Sequence, residues 1–71
     1  MMREKEIKTE FIKLDSFLKY ADIAGTGGEA KVLIQDGLVS VNGSIERQRG
    51  KKLRSGDIIS VGNEEVTVKR G

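Results

Sequence analysis

The sequence predicts an α+β fold: one strand, a helical hairpin, then a small, mostly antiparallel sheet. Three observations lead there. Apolar residues recur at helical spacing through residues 14–21 and again through 30–34. Beyond Gly37 they alternate at strand spacing. Turn signals at Asn42-Gly43, Ser55-Gly56-Asp57 and Gly62-Asn63 cut that second half into short segments.

The elements follow in order. Residues 6–12, EIKTEFI, alternate with Ile7, Thr9 and Phe11 on one side. That period predicts a strand and puts Phe11 on a core face. Residues 14–21, LDSFLKYA, change period, and Leu14, Phe17, Leu18 and Ala21 form one helical stripe. Asp15 falls in the first turn, where a negative charge suits the helix dipole. Tyr20 lies off the stripe, either partly buried or free to stack on a base.

The second helix opens at Thr26, a good N-cap, with Glu29 three residues later. This T-x-x-E spacing is a capping box, in which each side chain can satisfy the other residue's backbone N–H. Ala30, Leu33 and Ile34 make the buried face, and Lys31 and Gln35 point elsewhere. Gly37 follows Asp36 at the position that favours a left-handed backbone. The two helices, about four residues apart, predict an antiparallel-leaning αα-hairpin. Val39 and Val41 then alternate into Asn42-Gly43, a type I′ hairpin signal. Ile58, Ile59 and Val61 predict another strand, and Val66 and Val68 a last one.

A chain of 71 residues predicts a single domain over 1–71, and one that buries only about 60% of the surface of its unfolded form. With no cysteine and no histidine, disulfides are excluded, structural zinc has no soft ligands, and nucleophilic catalysis has no base. The serines therefore lack an imidazole partner, and Asp57, Glu64 and Glu65 fall in predicted turns. No enzyme, no metal and no cofactor is expected. No apolar run is long enough for a signal peptide or a membrane span, so a cytoplasmic protein is expected.

The charge is uneven. Residues 47–54, RQRGKKLR, hold the cations Arg47, Arg49, Lys51, Lys52 and Arg54 and no acid, while the rest carries 8 basic against 11 acidic residues. Concentrated positive charge on a mildly acidic chain is a footprint for a polyanion. The bland reading is a solvated, mobile loop.

Gly25-Thr26-Gly27-Gly28-Glu29-Ala30 fits G-x-G-x-x-A, a form of the dinucleotide fingerprint. That motif needs a strand before it and a βαβ unit around it; here a helix precedes it and no parallel sheet can be built. A P-loop would need serine or threonine after Lys31, and Val32 stands there. What survives is a helix start whose free N–H groups suit an anion, with Gly27 and Gly28 allowing close approach. The alternative is that the glycines serve only the interhelical turn.

Together these segments resemble a known family. L-D-x-F-L at Leu14–Leu18, A-K-x-L-I-x-x-G at Ala30–Gly37, V-x-V-N-G at Val39–Gly43, a basic stretch, and G-D-x-I-x-V at Gly56–Val61 run in the order of the S-four (S4) RNA-binding domain. The motif core spans about residues 14–61, and the chain most resembles the short stand-alone bacterial members of the YaaA type. The resemblance implies binding of structured RNA by shape, through a basic face formed by the helical hairpin and the segment after Asn42. It implies ribosomal RNA or a ribosomal subunit as partner, in large-subunit assembly or ribosome-associated work, with no small-molecule substrate, no membrane and a monomeric chain.

The expected RNA contacts are Thr26, Gly27, Gly28 and Lys31 at the second helix, Asn42 at the hairpin, and Arg47, Arg49, Lys51, Lys52 and Arg54. Many members carry Ser-Arg where this chain has Thr26-Gly27, which shifts the phosphate contact there to backbone amides and Lys31. No exposed aromatic platform is expected, so the target is A-form RNA rather than single-stranded bases. The rival reading is an adaptor whose basic loop docks an acidic protein.

Overall fold

In the computed structural model, which describes residues 2–71, the first half of the chain builds one layer of two helices. Helix α1 spans Leu14–Tyr20 and α2 spans Gly27–Gln35, with residues 21–26 between them. The helical stripe of α1 is fully used: Leu14, Phe17 and Leu18 are completely buried and Ala21 nearly so. On α2, Ala30 and Ile34 are buried and Leu33 packs against the core's edge.

Both helices end the same way. Ile23 N–H donates to the Leu18 carbonyl and Asp22 N–H to that of Lys19; Leu38 and Gly37 repeat the pattern on Leu33 and Ile34. These are Schellman closures, which need a left-handed residue just past the helix. Gly37 takes it at φ 76, as its position predicts, and Asp22 takes it at φ 60 without being glycine.

The second layer is a five-stranded sheet. It comprises β1 (Met2–Ile7), β3 (Val39–Val41), β4 (Ser44–Ile45), β6 (Ile58–Val61) and β7 (Glu64–Arg70), in the order β1-β7-β6-β3-β4. A two-stranded ribbon pairs β2 (Ile12–Lys13) with β5 (Lys52–Leu53). Every pairing is antiparallel except β1 with β7, which is parallel. Alternate residues Val39, Val41, Ile59, Val66 and Val68 face the helices and are buried, the period of 2 that a half-covered sheet requires.

The turns are those their residues dictate. Asn42 at φ 53 and Gly43 at φ 87 close β3 on β4, both central residues left-handed as a type I′ turn demands. Gly62 at φ 60 opens the turn between β6 and β7.

The start of the chain departs from expectation. The predicted strand over 6–12 is two strands: β1 ends at Ile7, residues 8–11 bend away, and β2 begins at Ile12. The break serves two partners. Ile7 closes the core beside β7, while Ile12 and Lys13 must run antiparallel to Leu53 and Lys52. The Thr9 hydroxyl donates to the Phe11 carbonyl at 2.7 Å and holds the bend. Phe11 is therefore 36% exposed rather than on the core face.

Candidate nucleic-acid interface

The tip of the β3–β4 hairpin is tied to the turn before β6. Asn42 donates from Nδ2 to Asp57 Oδ1 at 3.0 Å, and its Oδ1 accepts from Ile58 N–H at 2.9 Å. The Asn42 and Ile58 main chains add a bond at 2.8 Å. Asp57 Oδ2 accepts from Arg54 N–H at 2.8 Å. Two residues fifteen apart thus bracket the end of the basic segment against the hairpin.

This bracket yields a stability prediction. Asn42→Gly keeps the left-handed turn and loses the side-chain bonds, a cost of about 1 kcal/mol because the site is exposed. Asn42→Ala loses the same bonds and forces a Cβ into the left-handed region, about 1 kcal/mol more. Urea denaturation should rank the stabilities Asn42, then Gly, then Ala; equal midpoints for the two variants would discount the turn strain.

The basic segment is docked, not a free loop. Helix α1 has no side-chain cap. Its first N–H groups, those of Leu14 and Asp15, donate instead to the carbonyls of Lys51 (2.8 Å) and Arg49 (3.2 Å). Residues Lys52–Leu53 pair with β2, and Leu53 is fully buried. Main chain and one leucine anchor the segment, so its charged side chains project outward from a fixed backbone.

The five cations take different places. Lys51, Lys52 and Arg54 line a groove of about 390 Å³ together with Val41, Asn42, Ser44, Glu46 and Asp57. Lys52 and Arg54 also lie over the Phe11 ring, at 4.8 and 5.9 Å from its centre. Such contacts hold a cation against an aromatic face without neutralising it. Arg49 turns toward α1 and pairs with Asp15 at 3.6 Å. Arg47 lies against Gly37, where an added Cβ would sit 2.7 Å from the guanidinium. A cation there suits the negative end of the α2 dipole.

At the other end of α2, Thr26 Oγ1 accepts from Glu29 N–H at 3.1 Å, and the first helical bond runs from Ala30 N–H to the Thr26 carbonyl. Among the described residues only this half of the capping box is formed. The amides of Gly27 and Gly28 are left open at exposed positions, with Lys31 exposed one turn on. Neither glycine is needed by the turn: a Cβ at Gly27 would meet nothing within 4 Å, and one at Gly28 only the Thr26 hydroxyl at 3.9 Å.

The structure therefore brings together Lys51, Lys52, Arg54 and Asn42. It keeps Thr26, Gly27, Gly28 and Lys31 as a separate cluster. Arg47 sits at the far end of α2, against Gly37, which at 1.5 Å per residue is about 16 Å along the axis from Thr26.

Phe11, Glu46 and Asp57 belong to the groove or to its cations and were not among the expected contacts. Only Asp57 left a trace in the sequence, as the aspartate of the Gly-Asp turn. Tyr20 is half exposed and latched, its hydroxyl donating to the Glu6 carbonyl at 2.6 Å with Lys5 Nζ 4.6 Å from its ring centre. Among the described residues no three acids gather to hold a metal ion, and no helix is long and apolar enough to cross a membrane.

Comparison with known proteins gives three findings. The model of the S4 domain family matches residues 5–69. The chain is 42% identical over 55 residues to the probable ribosome maturation protein RlbA of Bacillus subtilis (strain 168), covering 78% of each chain. It is similar in fold to the 30S ribosomal protein S4e from Thermoplasma acidophilum, with a TM-score of 0.61 and 24% identity over 82% of this chain. That likeness spans 31% of the ribosomal protein and speaks to fold alone.

Proposed function

The chain belongs to the S4 domain family, and from that premise we propose that it is an RNA-binding module acting on ribosomal RNA, in assembly of the large ribosomal subunit. The observation that carries the reading is the groove in which Lys51, Lys52 and Arg54 stand on an anchored backbone with, among the described residues, no acidic partner in ion-pair contact. Cations so placed meet phosphates with little ordering cost, because the main chain behind them is already hydrogen bonded. The similarity to a protein named for ribosome maturation supports a ribosomal target.

Two clusters share the work in this proposal. The groove takes the phosphates of one RNA segment. The open amides of Gly27 and Gly28, with Thr26 and Lys31, take a phosphate of another. Phosphate contacts of this kind need no base sequence, as expected of recognition by shape. Arg47 and Arg49, turned onto the two helices, add field rather than direct contacts.

The glycines give a sharp test. Glycine in a helical turn is less favourable than alanine by up to about 1 kcal/mol, and here nothing crowds an added methyl. Gly27→Ala and Gly28→Ala should each raise stability by about 0.5–1 kcal/mol while weakening RNA binding, because the methyl holds the phosphate off the amides. Thermal melts and RNA titrations on the same samples read both. A variant that is stabilised and binds RNA unchanged would remove this cluster from the interface.

For the target, crosslinking in cells followed by sequencing should enrich one site in large-subunit RNA. Even scatter across cellular RNA would refute the ribosomal assignment. Partners that survive RNase treatment of a pull-down would point to protein docking instead.

A further inference from the structure

The groove contains an acid that phosphate binding does not explain. Of its two carboxylates, Asp57 is committed within the protein, one oxygen to the Asn42 amide and the other to Arg54 N–H. Glu46 is half buried at the groove wall and, among the described residues, accepts from Gln48 N–H alone, through Oε2 at 3.2 Å. An ionised carboxylate offers about four acceptor sites, so most of its capacity is unspent at the groove wall. Phosphates only weaken next to it, and a ribose 2′-hydroxyl can donate a single bond to it. A nucleobase edge, which can present two N–H donors together, is the part of an RNA that meets both carboxylate oxygens at once.

Guanine fits best. Its Watson–Crick edge carries N1–H and the N2 amino group side by side, two parallel donors for two carboxylate oxygens, where the other bases offer a single donor position on that edge. In a duplex this edge is paired, so the nucleotide must be unpaired, and unpaired bases are the usual targets of sequence-specific RNA readers. Arg54 supplies a planar guanidinium on which such a base can stack. Phe11, exposed and carrying Lys52 and Arg54 over its ring, positions both cations. A volume of about 390 Å³ lies within the range of small-ligand sites.

We propose that this groove takes one unpaired guanosine nucleotide of the bound RNA, at a bulge or junction. Glu46 accepts from the base edge, Arg54 stacks on the base, and Lys51 and Lys52 hold the flanking phosphates. The inference rests on the RNA-binding reading and adds a sequence preference at a single position.

The test is a pool of RNA stem-loops carrying a randomised bulge of one to three nucleotides, with fully paired stems included. The full chain is the bait, and bound RNA is sequenced. Unpaired guanine should be enriched about tenfold over the other bases, the size of one good base-edge contact. Glu46→Gln keeps the side chain's shape and removes its charge. It should abolish the guanine enrichment while binding paired stems as well as, or better than, the native chain.

Two results overturn the proposal. In one, guanine is not enriched although stems still bind with strong salt dependence, which leaves the RNA reading intact. In the other, Glu46→Gln tightens all RNAs alike and keeps the native base profile, which makes Glu46 a simple repulsive charge. Failure to bind any RNA would end both readings.

Discussion

Replacing Lys51, Lys52 and Arg54 together with alanine is expected to weaken RNA binding about 100-fold at roughly physiological salt. The size follows from counterion release. Each phosphate neutralised contributes about 0.7–0.9 to the slope of log K against log salt. Three lost contacts flatten that slope by about 2–3, which near 0.15 M is about two decades in affinity. The loss should be uniform across fully paired RNAs, since phosphate contacts position and do not specify. Folding should survive, because all three side chains are exposed and the segment is held by its main chain and by Leu53.

The informative contrast lies within the same eight residues. Arg49→Ala removes a cation already paired with Asp15 at 3.6 Å, and Arg47→Ala one laid against Gly37. Each should cost less than about fivefold, below the per-residue share of the triple variant. Equal losses for Arg47, Arg49 and Arg54 would mean that net charge alone matters and that the groove has no special standing.

Phe17→Ala is expected to remove about half of the domain's stability. Phe17 is the largest fully buried side chain, at 0% exposure on α1 between the helical layer and the sheet. Truncating a buried phenylalanine costs about 3–5 kcal/mol, in lost transfer energy and in the cavity left behind. A chain of 71 residues has a total stability of about 4–10 kcal/mol at the usual 0.05–0.15 kcal/mol per residue. Urea melts followed by circular dichroism should show the midpoint for Phe17→Ala lowered by about half, and that for Phe17→Leu, which leaves a smaller cavity, lowered less. A midpoint for Phe17→Ala close to the native one would mean that the layer between helices and sheet collapses around the gap.

Much of the architecture was legible because it is set by residues close in the chain. The spacing of Leu14, Phe17, Leu18 and Ala21 defines a helical face whatever that face meets. Asn42-Gly43 and Gly37 adopt left-handed backbone for reasons internal to the turn. Thr26 caps Glu29 three residues away. The α+β class, both helices and the β3–β4 hairpin follow from such local rules.

The candidate site was legible in charge but not in arrangement. A run of five cations announces a polyanion site, yet period and composition give each the same weight. Their separation into groove-lining and helix-facing members depends on backbone bonds from Leu14 and Asp15 to Lys51 and Arg49, more than thirty residues apart. Phe11 misled for a related reason. Ile7, Thr9 and Phe11 alternate as a strand does, but Ile7 and Ile12 answer to different partner strands, and the chain bends between them.

The sequence by itself determined the local geometry: two helices, the second capped by Thr26, left-handed turns at glycine and asparagine, alternating strands, and where the positive charge is concentrated along the chain. Only the tertiary structure decided that β1 lies parallel to β7, that Asn42 and Asp57 clamp hairpin to turn, and that Phe11 carries cations on the surface. It alone set Glu46 at the wall of the basic groove. The physical reason is range. Backbone propensity and side-chain period act over about one helical turn or one strand pair, whereas a groove is made by segments that meet only after the chain has closed on its core.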